Sequence, residues 1–414
     1  MKILLLHQYF LGKNQGGGAR FNEMTKVWAD EGHSVTVIAG LRSYSDTEYP
    51  EWKGKSYAFE KDFYKNTDVH RCYMSDSSHK PGFLSRMWGY FSFVFSSTWA
   101  GLFKVKGKYD LMIVSSPPLF VAIPAYILSS VKRIPLIFEV RDLWPESAID
   151  TGMISNPLLI RFSYWFEKTI YKKAKLINVL TPAFREKLIK NKNIPANKII
   201  YIPNAADFSV AEKAAKNFDA KKFRKEEGID DKFVVTYIGA HGIANHLIQI
   251  IEAAEKLQDT NVLFQLIGGG MTKNALVKEA KARNLQNVRF VGRVDKTMAF
   301  KYILASDIGT SVLKKVDTFK TIYSNKTFDY MSCKKPILLA IDGVSRQLVV
   351  EEAKCGVFAE PENADDIAEK VRQYIRGDYN MKEQGENGYR HAKEHFDREE
   401  LANKYLKEMQ RLTI

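Results

Sequence analysis

Three short segments of this sequence combine charged residues with glycines or helix-start residues in ways that suit anion chemistry. The first is SNKTFDYMSCKKPILLA, residues 324–340. Ser324 reads as a helix cap, with Asn325, Lys326 and Thr327 in the first turn. The helix macrodipole disfavours a cation there, so Lys326 makes sense beside a phosphate that needs a counter-charge. Asp329 falls one turn on, roughly on the same side, where a carboxylate can accept hydrogen bonds from a ribose. The bland alternative is an exposed lysine. The helix is expected to stop at Cys-Lys-Lys-Pro, before a strand ILLAI.

The second segment is FEVRDLWPES, residues 138–147, where Glu139, Arg141, Asp142 and Glu146 crowd the end of a buried strand. Ligands bind at that edge in open parallel sheets, although an Arg-Asp pair there also serves as a structural ion pair. The third is QGGGARFNE, in which Gly16, Gly17 and Gly18 lead into a helix. Such a turn lets a ligand approach the backbone and offers free N–H groups to an anion. It lacks the spacing of a dinucleotide fingerprint, and an ordinary strand–helix turn fits as well.

Short aliphatic runs alternating with amphipathic stretches position these segments, the pattern of parallel sheets flanked by helices. KILLLHQYF, SVTVIAG, DLMIVSS, PLIFEV, KLINVLT and KIIYIPN form a first series of strands. KFVVTYIGAHG, NVLFQLIGGG, NVRFVGRV, DIGTSV and KPILLAI form a second. Between them the polar stretch 207–231 reads as a linker. The expected domains are 1–206 and 207–388, both Rossmann-like. A charged amphipathic helix over about 389–414 is expected to pack back on the first.

The 414 residues suffice for two α/β domains, and 45% apolar with 27% charged residues excludes a disordered or fibrous chain. Cys72, Cys333 and Cys355 are odd in number and unpaired in spacing, which argues for a reducing cytosol and against a disulfide framework or a zinc site. The start, MKILLLHQYF, is too short and too soon polar for a signal peptide. The 21 uncharged residues 111–131 are long enough to span a bilayer. Pro117, Pro118 and Pro124 favour a buried strand, a turn and a helix instead. Residues 1–205 hold 28 Lys/Arg against 17 Asp/Glu, and the remainder 34 against 31. This basic first half fits an acidic partner (anionic lipid, pyrophosphate or nucleic acid) or an ordinary solubilising surface. Residues 80–108 pack Trp88, Phe91, Phe95 and Trp99 among other aromatics, with Arg86 and further basic residues near the ends. Such a segment suits an interfacial helix on anionic lipid or an aromatic buried helix.

Together these residues resemble glycosyltransferase family 4, the retaining GT-B enzymes, and within it the bacterial transferases that add acetamido-deoxyhexoses in O-antigen and capsule assembly. The resemblance covers nearly the whole chain. It rests on GGGARFNEMTKVWADEGHSVTV, EVRDLWPES, YIPNAAD, YIGAHG and SNKTFDYMSCKKPIL. It implies an α/β GT-B fold: two Rossmann-like domains whose parallel sheets face across an interdomain cleft, with the acceptor on the first and the nucleotide sugar on the second. It sets Gly17 and Gly18 against the donor diphosphate and acceptor. It makes Asp142, with Glu139 and Arg141, the catalytic candidates. Lys326, Asn325, Thr327 and Gly242 fall on the diphosphate, and Asp329, Arg293 and Gly239 on the ribose and base.

The sequence also departs from the family. The first glutamate of the usual Glu-x7-Glu pair would fall at Thr321, and a common arginine is replaced in Gly239-Ala240-His241-Gly242. His241 is therefore a candidate phosphate contact or a plain loop residue. The implied activity is metal-independent transfer of an N-acetylated hexosamine or deoxyhexosamine from a UDP-sugar to a polyprenyl-diphosphate-linked saccharide. The enzyme is expected to be peripheral on the inner face of the cell membrane, with no cofactor and no nucleic-acid partner. A UDP-sugar epimerase and a non-catalytic sugar- or lipid-binding regulator remain open alternatives.

Overall fold

The computed structural model describes residues 1–12, 20–42, 52–75, 83–150, 152 and 154–413. The chain forms two compact units, one of Met1–Pro203 with Glu399–Ile414, the other of Asn204–Arg398.

The first unit contains β1 (Lys2–Leu6), α1 (Arg20–Asp30), β2 (Ser34–Gly40), β3 (Tyr57–Tyr64), β4 (Thr67–Cys72), α2 (Phe83–Phe103), β5 (Leu111–Ser116) and α3 (Ala122–Val131). It continues with β6 (Leu136–Val140), α4 (Glu146–Asp150), α5 (Pro157–Lys173), β7 (Leu176–Val179), α6 (Pro182–Lys192) and β8 (Ile199–Tyr201). The sheet order is β3-β4-β2-β1-β5-β6-β7-β8, parallel except for β3. Ile3 to Leu6 are fully buried, as expected of a central strand covered on both faces. The uncharged stretch 111–131 resolves into β5, a short turn of 3-10 helix and α3. No helix among the described residues is long and apolar enough to cross a membrane.

The second unit begins with α7 (Phe208–Ala215) and α8 (Ala220–Glu226), within the stretch expected to be a linker. Asp207 and Asp219 cap them, accepting from Val210 N and from Lys221 and Lys222 N, so Ala- and Lys-rich sequence becomes helix where composition reads as loop. Then follow β9 (Phe233–Ala240), α9 (Ile248–Glu255), β10 (Val262–Gly269), α10 (Lys273–Ala282), β11 (Val288–Gly292), α11 (Lys296–Ala305) and β12 (Ile308–Val312). Next come α12 (Asn325–Ser332), β13 (Ile337–Ala340), α13 (Val344–Arg346), β14 (Gly356–Phe358), α14 (Ala364–Arg376) and α15 (Met381–His395). The sheet is wholly parallel, in the order β11-β10-β9-β12-β13-β14. Leu338 and Ala340 pack in one core and Ile337, Leu339 and Ile341 in another, the period-2 signature of a strand buried on both faces.

The single helix expected over 389–414 is two. The chain leaves α15 at Phe396, where Ala206 pairs with Asp397, and re-enters helix as α16 (Arg398–Thr413). α16 lies on α1, where Trp28 Nε1 donates to the Ala402 carbonyl at 2.9 Å.

Candidate functional site

In the second unit the strand ends of β9, β10 and β11 and the start of α12 bring the polar groups together. Gly239 closes β9 with φ 137°, and a Cβ there would stand 2.8 Å from Lys326 Cε. Beside it Gly268 has φ 130°, and a Cβ would lie 2.0 Å from the Gly239 carbonyl oxygen. Only glycine permits this backbone and this approach. Lys326 Nζ lies 5.0 Å from the centre of the Tyr237 ring and donates to Asn245 Oδ1 at 3.3 Å. Burial pushes the Lys326 ammonium down to about 8, opposed by the charge of Asp329.

His241 follows β9 and is fully buried. Its backbone is fixed, N donating to the Gly269 carbonyl and O accepting from Thr272 N and Oγ1 at 3.0 and 2.8 Å. Both ring nitrogens lack a hydrogen-bond partner, and the ring sits between those of Tyr237 and Phe290. Burial lowers the imidazole to about 4, helped by the charges of Lys273 and Lys326, so it is neutral at pH 7. Arg293 follows β11 and lies across Gly269, where a Cβ would meet its Nε at 3.2 Å. Lys273 opens α10 with its Nζ 3.6 Å from where a Gly292 Cβ would be. Among the described residues, Lys326, Lys273 and Arg293 form no ion pair, while neighbouring cations such as Arg289 and Lys296 do. Three cations without an ion pair, one of them near the Asp329 charge, around a neutral buried imidazole are an arrangement that can accept a polyanion.

Two expected details differ. The Ser324 hydroxyl does not cap α12; it pairs with Ser311 Oγ of β12 at 2.7 Å. Thr327 Oγ1 donates to the Ser324 carbonyl at 2.6 Å. The first amides of α12 are thus left without a side-chain cap, an arrangement open to an anion. Asn325 is exposed. Gly242 precedes the short turn Ile243–Asn245. Sequence reasoning missed Lys273 and the two tyrosines that brace the site. Tyr330 Oη donates toward the carbonyls of Thr236 and Thr310 at 3.0 Å and accepts from Ile238 N, fixing α12 over β9 and β12. Tyr237 Oη donates to the Ala240 carbonyl at 2.7 Å. The signal for Lys273 was present, since it is a cation at a helix start after a glycine-ended strand.

In the first unit Glu139 is fully buried in β6 and accepts from Arg20 Nη2 at 3.1 Å, Asn178 Nδ2 at 2.9 Å and Ser115 Oγ at 3.4 Å. Arg20 also donates to the carbonyls of Ile202 and Pro203. The Glu139 carboxylate is thereby committed to joining α1, β6, β7 and the end of the unit. Asp142 lies beyond the strand and accepts from Ser147 Oγ at 2.8 Å. Burial raises its carboxyl, against hydrogen bonds from Ser147 and the Leu143 amide. His7, just past β1, is buried with an unpartnered Nδ1, and burial followed by the charges of Arg141 and Arg20 holds it well below the usual imidazole value. Asp142, Arg141 and His7 thus gather at one sheet edge. Gly17 and Gly18 lie outside the described residues.

On α2, Trp88, Phe95 and Trp99 are exposed, while Phe91 is half-buried with its ring 5.3 Å from that of Phe120. The Arg86 side chain lies outside the description. The three cysteines are buried and free. No cluster of three or more His, Cys, Asp or Glu among the described residues is arranged to hold a metal ion.

Residues 15–205 match the model of a glycosyl transferase 4-like domain and residues 219–391 that of the glycosyl transferases group 1. The chain is 25% identical over 299 residues to WcaI of Escherichia coli, a protein named for glycosyl transfer in colanic acid biosynthesis, covering 70% of this chain and 71% of the relative. Its fold matches that of HepE from Anabaena in complex with UDP-glucose (TM-score 0.72, 17% identity, 99% and 100% of the two chains). It also matches WaaG, a glycosyltransferase involved in lipopolysaccharide biosynthesis (TM-score 0.69, 16% identity, 98% of each).

Proposed function

We propose, on the premise that this chain belongs to the GT-B glycosyltransferases with a glycosyl transferase 4-like first domain and a group 1 second domain, that it transfers a sugar from a UDP-sugar to a lipid-linked saccharide with retention of configuration. The sugar is an N-acetylated hexosamine or deoxyhexosamine, and the pathway is bacterial surface-polysaccharide synthesis. One observation carries the donor assignment: among the described residues Lys326, Lys273 and Arg293 form no ion pair and gather around buried, neutral His241.

In this reading the diphosphate rests on the uncapped amides of α12 and on Lys326, and His241 donates one neutral hydrogen bond. Asp329 holds the ribose, and Arg293 lies toward the base. The bond from the anomeric carbon to the diphosphate oxygen breaks, and its electron pair leaves with the nucleotide. Fixed cations and helix-start amides stabilise that charge as it develops, so no metal is required. The acceptor hydroxyl attacks the vacated face and its proton passes to the departing phosphate. Asp142 and Arg141 orient the acceptor on the first unit, and the exposed aromatics of α2 rest on the inner face of the cell membrane. HepE bound to UDP-glucose and the name of WcaI support a nucleotide-sugar donor and a polysaccharide product.

A thermal-shift panel of nucleoside diphosphates and their sugars tests the reading. A donor present at 100 times its Kd stabilises the fold by about 2.7 kcal/mol. The expected result is stabilisation by UDP and one UDP-sugar, with UDP released only when a lipid-linked saccharide is present. Isomerised sugar without acceptor would make the protein an epimerase, and no nucleotide-induced stabilisation would make it a regulator.

A further inference from the structure

On the first unit α3 packs against both α2 and α5, placing the three helices in a row. Among the described residues, eleven of the fifteen large apolar side chains that stand exposed lie on these helices. Single exposed apolar residues are ordinary, whereas a concentration of this kind marks a contact surface. On α5, Leu158, Phe162 and Trp165 are 78%, 38% and 61% exposed. Their spacing of i, i+4 and i+7 makes one stripe along the helix. Arg161, Lys168 and Lys172 run beside it at the same kind of spacing.

The exposed charge on these three helices has one sign, and the carboxylates of α4, Glu146 and Asp150, lie toward Tyr164. The acidic residue of α5, Glu167, is buried and bound to Lys192 at 2.8 Å. α2 and α3 contain no acidic residue. Lys104 lies 5.2 Å from the Trp99 ring centre and Lys173 5.5 Å from that of Tyr126, a pairing in which apolar bodies cover one another and the ammonium reaches outward. A second copy of this chain would set cation against cation. An anionic bilayer supplies both the opposite charge and an apolar layer for the stripe.

We propose that α5 is a second lipid-binding helix, whose Leu158–Phe162–Trp165 stripe enters the headgroup boundary of an anionic bilayer while Arg161, Lys168 and Lys172 engage lipid phosphates. The membrane contact is then a face of three helices rather than α2 alone. This rests on the peripheral-membrane reading above and adds an element to it.

The test uses the full chain with vesicles of phosphatidylcholine, with and without phosphatidylglycerol. The double change Phe162→Ser and Trp165→Ser should lower partitioning onto anionic vesicles at least tenfold. Each of Arg161, Lys168 and Lys172 changed to Gln should cost about fivefold, the equivalent of ~1 kcal/mol per cation near the surface, and only on the anionic vesicles. UDP-induced thermal stabilisation should stay at the wild-type value, which verifies folding. In the unmutated chain, brominated lipids should quench a fluorescence component that is missing in Trp165→Phe. If the α5 variants bind like wild type while Trp88→Ser with Phe95→Ser and Trp99→Ser detaches, the α5 inference fails and the membrane reading stands. If wild type ignores both vesicles, both fail. If the α5 variants change only the oligomeric state in light scattering, the face belongs to a second copy and the inference fails.

Discussion

Replacing Lys326 by methionine should stabilise the empty protein and weaken its hold on UDP, and the size of both effects follows from burial. The folded chain holds the Lys326 ammonium at about 8 instead of 10.5. Between those values the unfolded chain binds more protons, so stability rises with pH across that window; below about 8 the cost of holding the charge is fully present. At about 1.36 kcal/mol per pH unit, the cost is roughly 3 kcal/mol. Lys326 keeps some solvent contact, so a gain of about 1–3 kcal/mol is expected from methionine, whose flexible stem fills similar space. Thermal melts at pH 7 should show the variant more stable, with the difference shrinking as pH approaches 10.5. Calorimetric titration with UDP should show wild-type affinity level from pH 7 to 8, then falling by up to tenfold per pH unit as the bound state must take up a proton. The variant should bind about 10- to 150-fold more weakly at pH 7, the worth of a hydrogen bond to a charged group, and lack that alkaline fall. A variant less stable than wild type at pH 7, or one that retains the alkaline fall, would refute the reasoning.

Three further changes separate structural from functional charge. Glu139→Gln breaks a buried pair and should cost about 3–5 kcal/mol in the unfolding of the first unit, with UDP affinity unchanged; lost turnover at full stability would return Glu139 to the reaction. His241→Phe removes one neutral hydrogen bond of about 0.5–1.5 kcal/mol, so UDP should bind roughly 2- to 12-fold more weakly. Since the imidazole is held near 4, His241 should add nothing to the inflection at about pH 6 that the UDP phosphate itself gives, and finding a component that His241→Phe removes would sink the assignment. Asp142→Asn should lower kcat/KM about tenfold or more with UDP affinity intact. Because burial raises the Asp142 carboxyl, the acid limb of kcat/KM should lie above 3.8, and a limb unchanged in Asp142→Asn would exclude this residue.

Most of the sheet framework was legible because central parallel strands are continuous apolar runs, as in LLL of β1 or ILLA of β13. The strands that escaped are those without that property. β3 is an exposed edge whose sequence, YAFEKDFY, carries three charges, β4 contains Asp68, His70 and Arg71, and β14 has three residues. Ser324 shows a different limit. A serine before a helix is a cap by local rules, yet its hydroxyl turns to Ser311, thirteen residues earlier, because β12 runs beside it. The same holds for Tyr330, whose hydroxyl reaches carbonyls on two strands. No spacing rule announces a phenol in the floor of a site.

Charge counting by halves and the clustered cations without ion pairs point to different places for an anion. The first 205 residues carry the large basic excess, 28 against 17, and the remainder is nearly balanced at 34 against 31. Yet the anion site favoured here lies in the balanced half. Net charge sets a long-range field that salt screens within about 8–10 Å, whereas a bound diphosphate responds to cations in contact with it. Many cations of the second unit face carboxylates, as Arg283, Arg289 and Arg372 do. Among the described residues Lys273, Arg293 and Lys326 have no such pair, and they are set apart by lying together at one sheet edge. In the first unit the reverse holds: Arg20 is locked to Glu139 in the interior, and the excess lies on outer helix faces such as that of α5, beside exposed aromatics. Charge without ion pairs clustered at a glycine-rimmed sheet edge suits a small polyanion, and charge spread over an aromatic face suits a lipid surface. The proposed transfer from a soluble nucleotide to a membrane-held acceptor would need both arrangements, one on each unit.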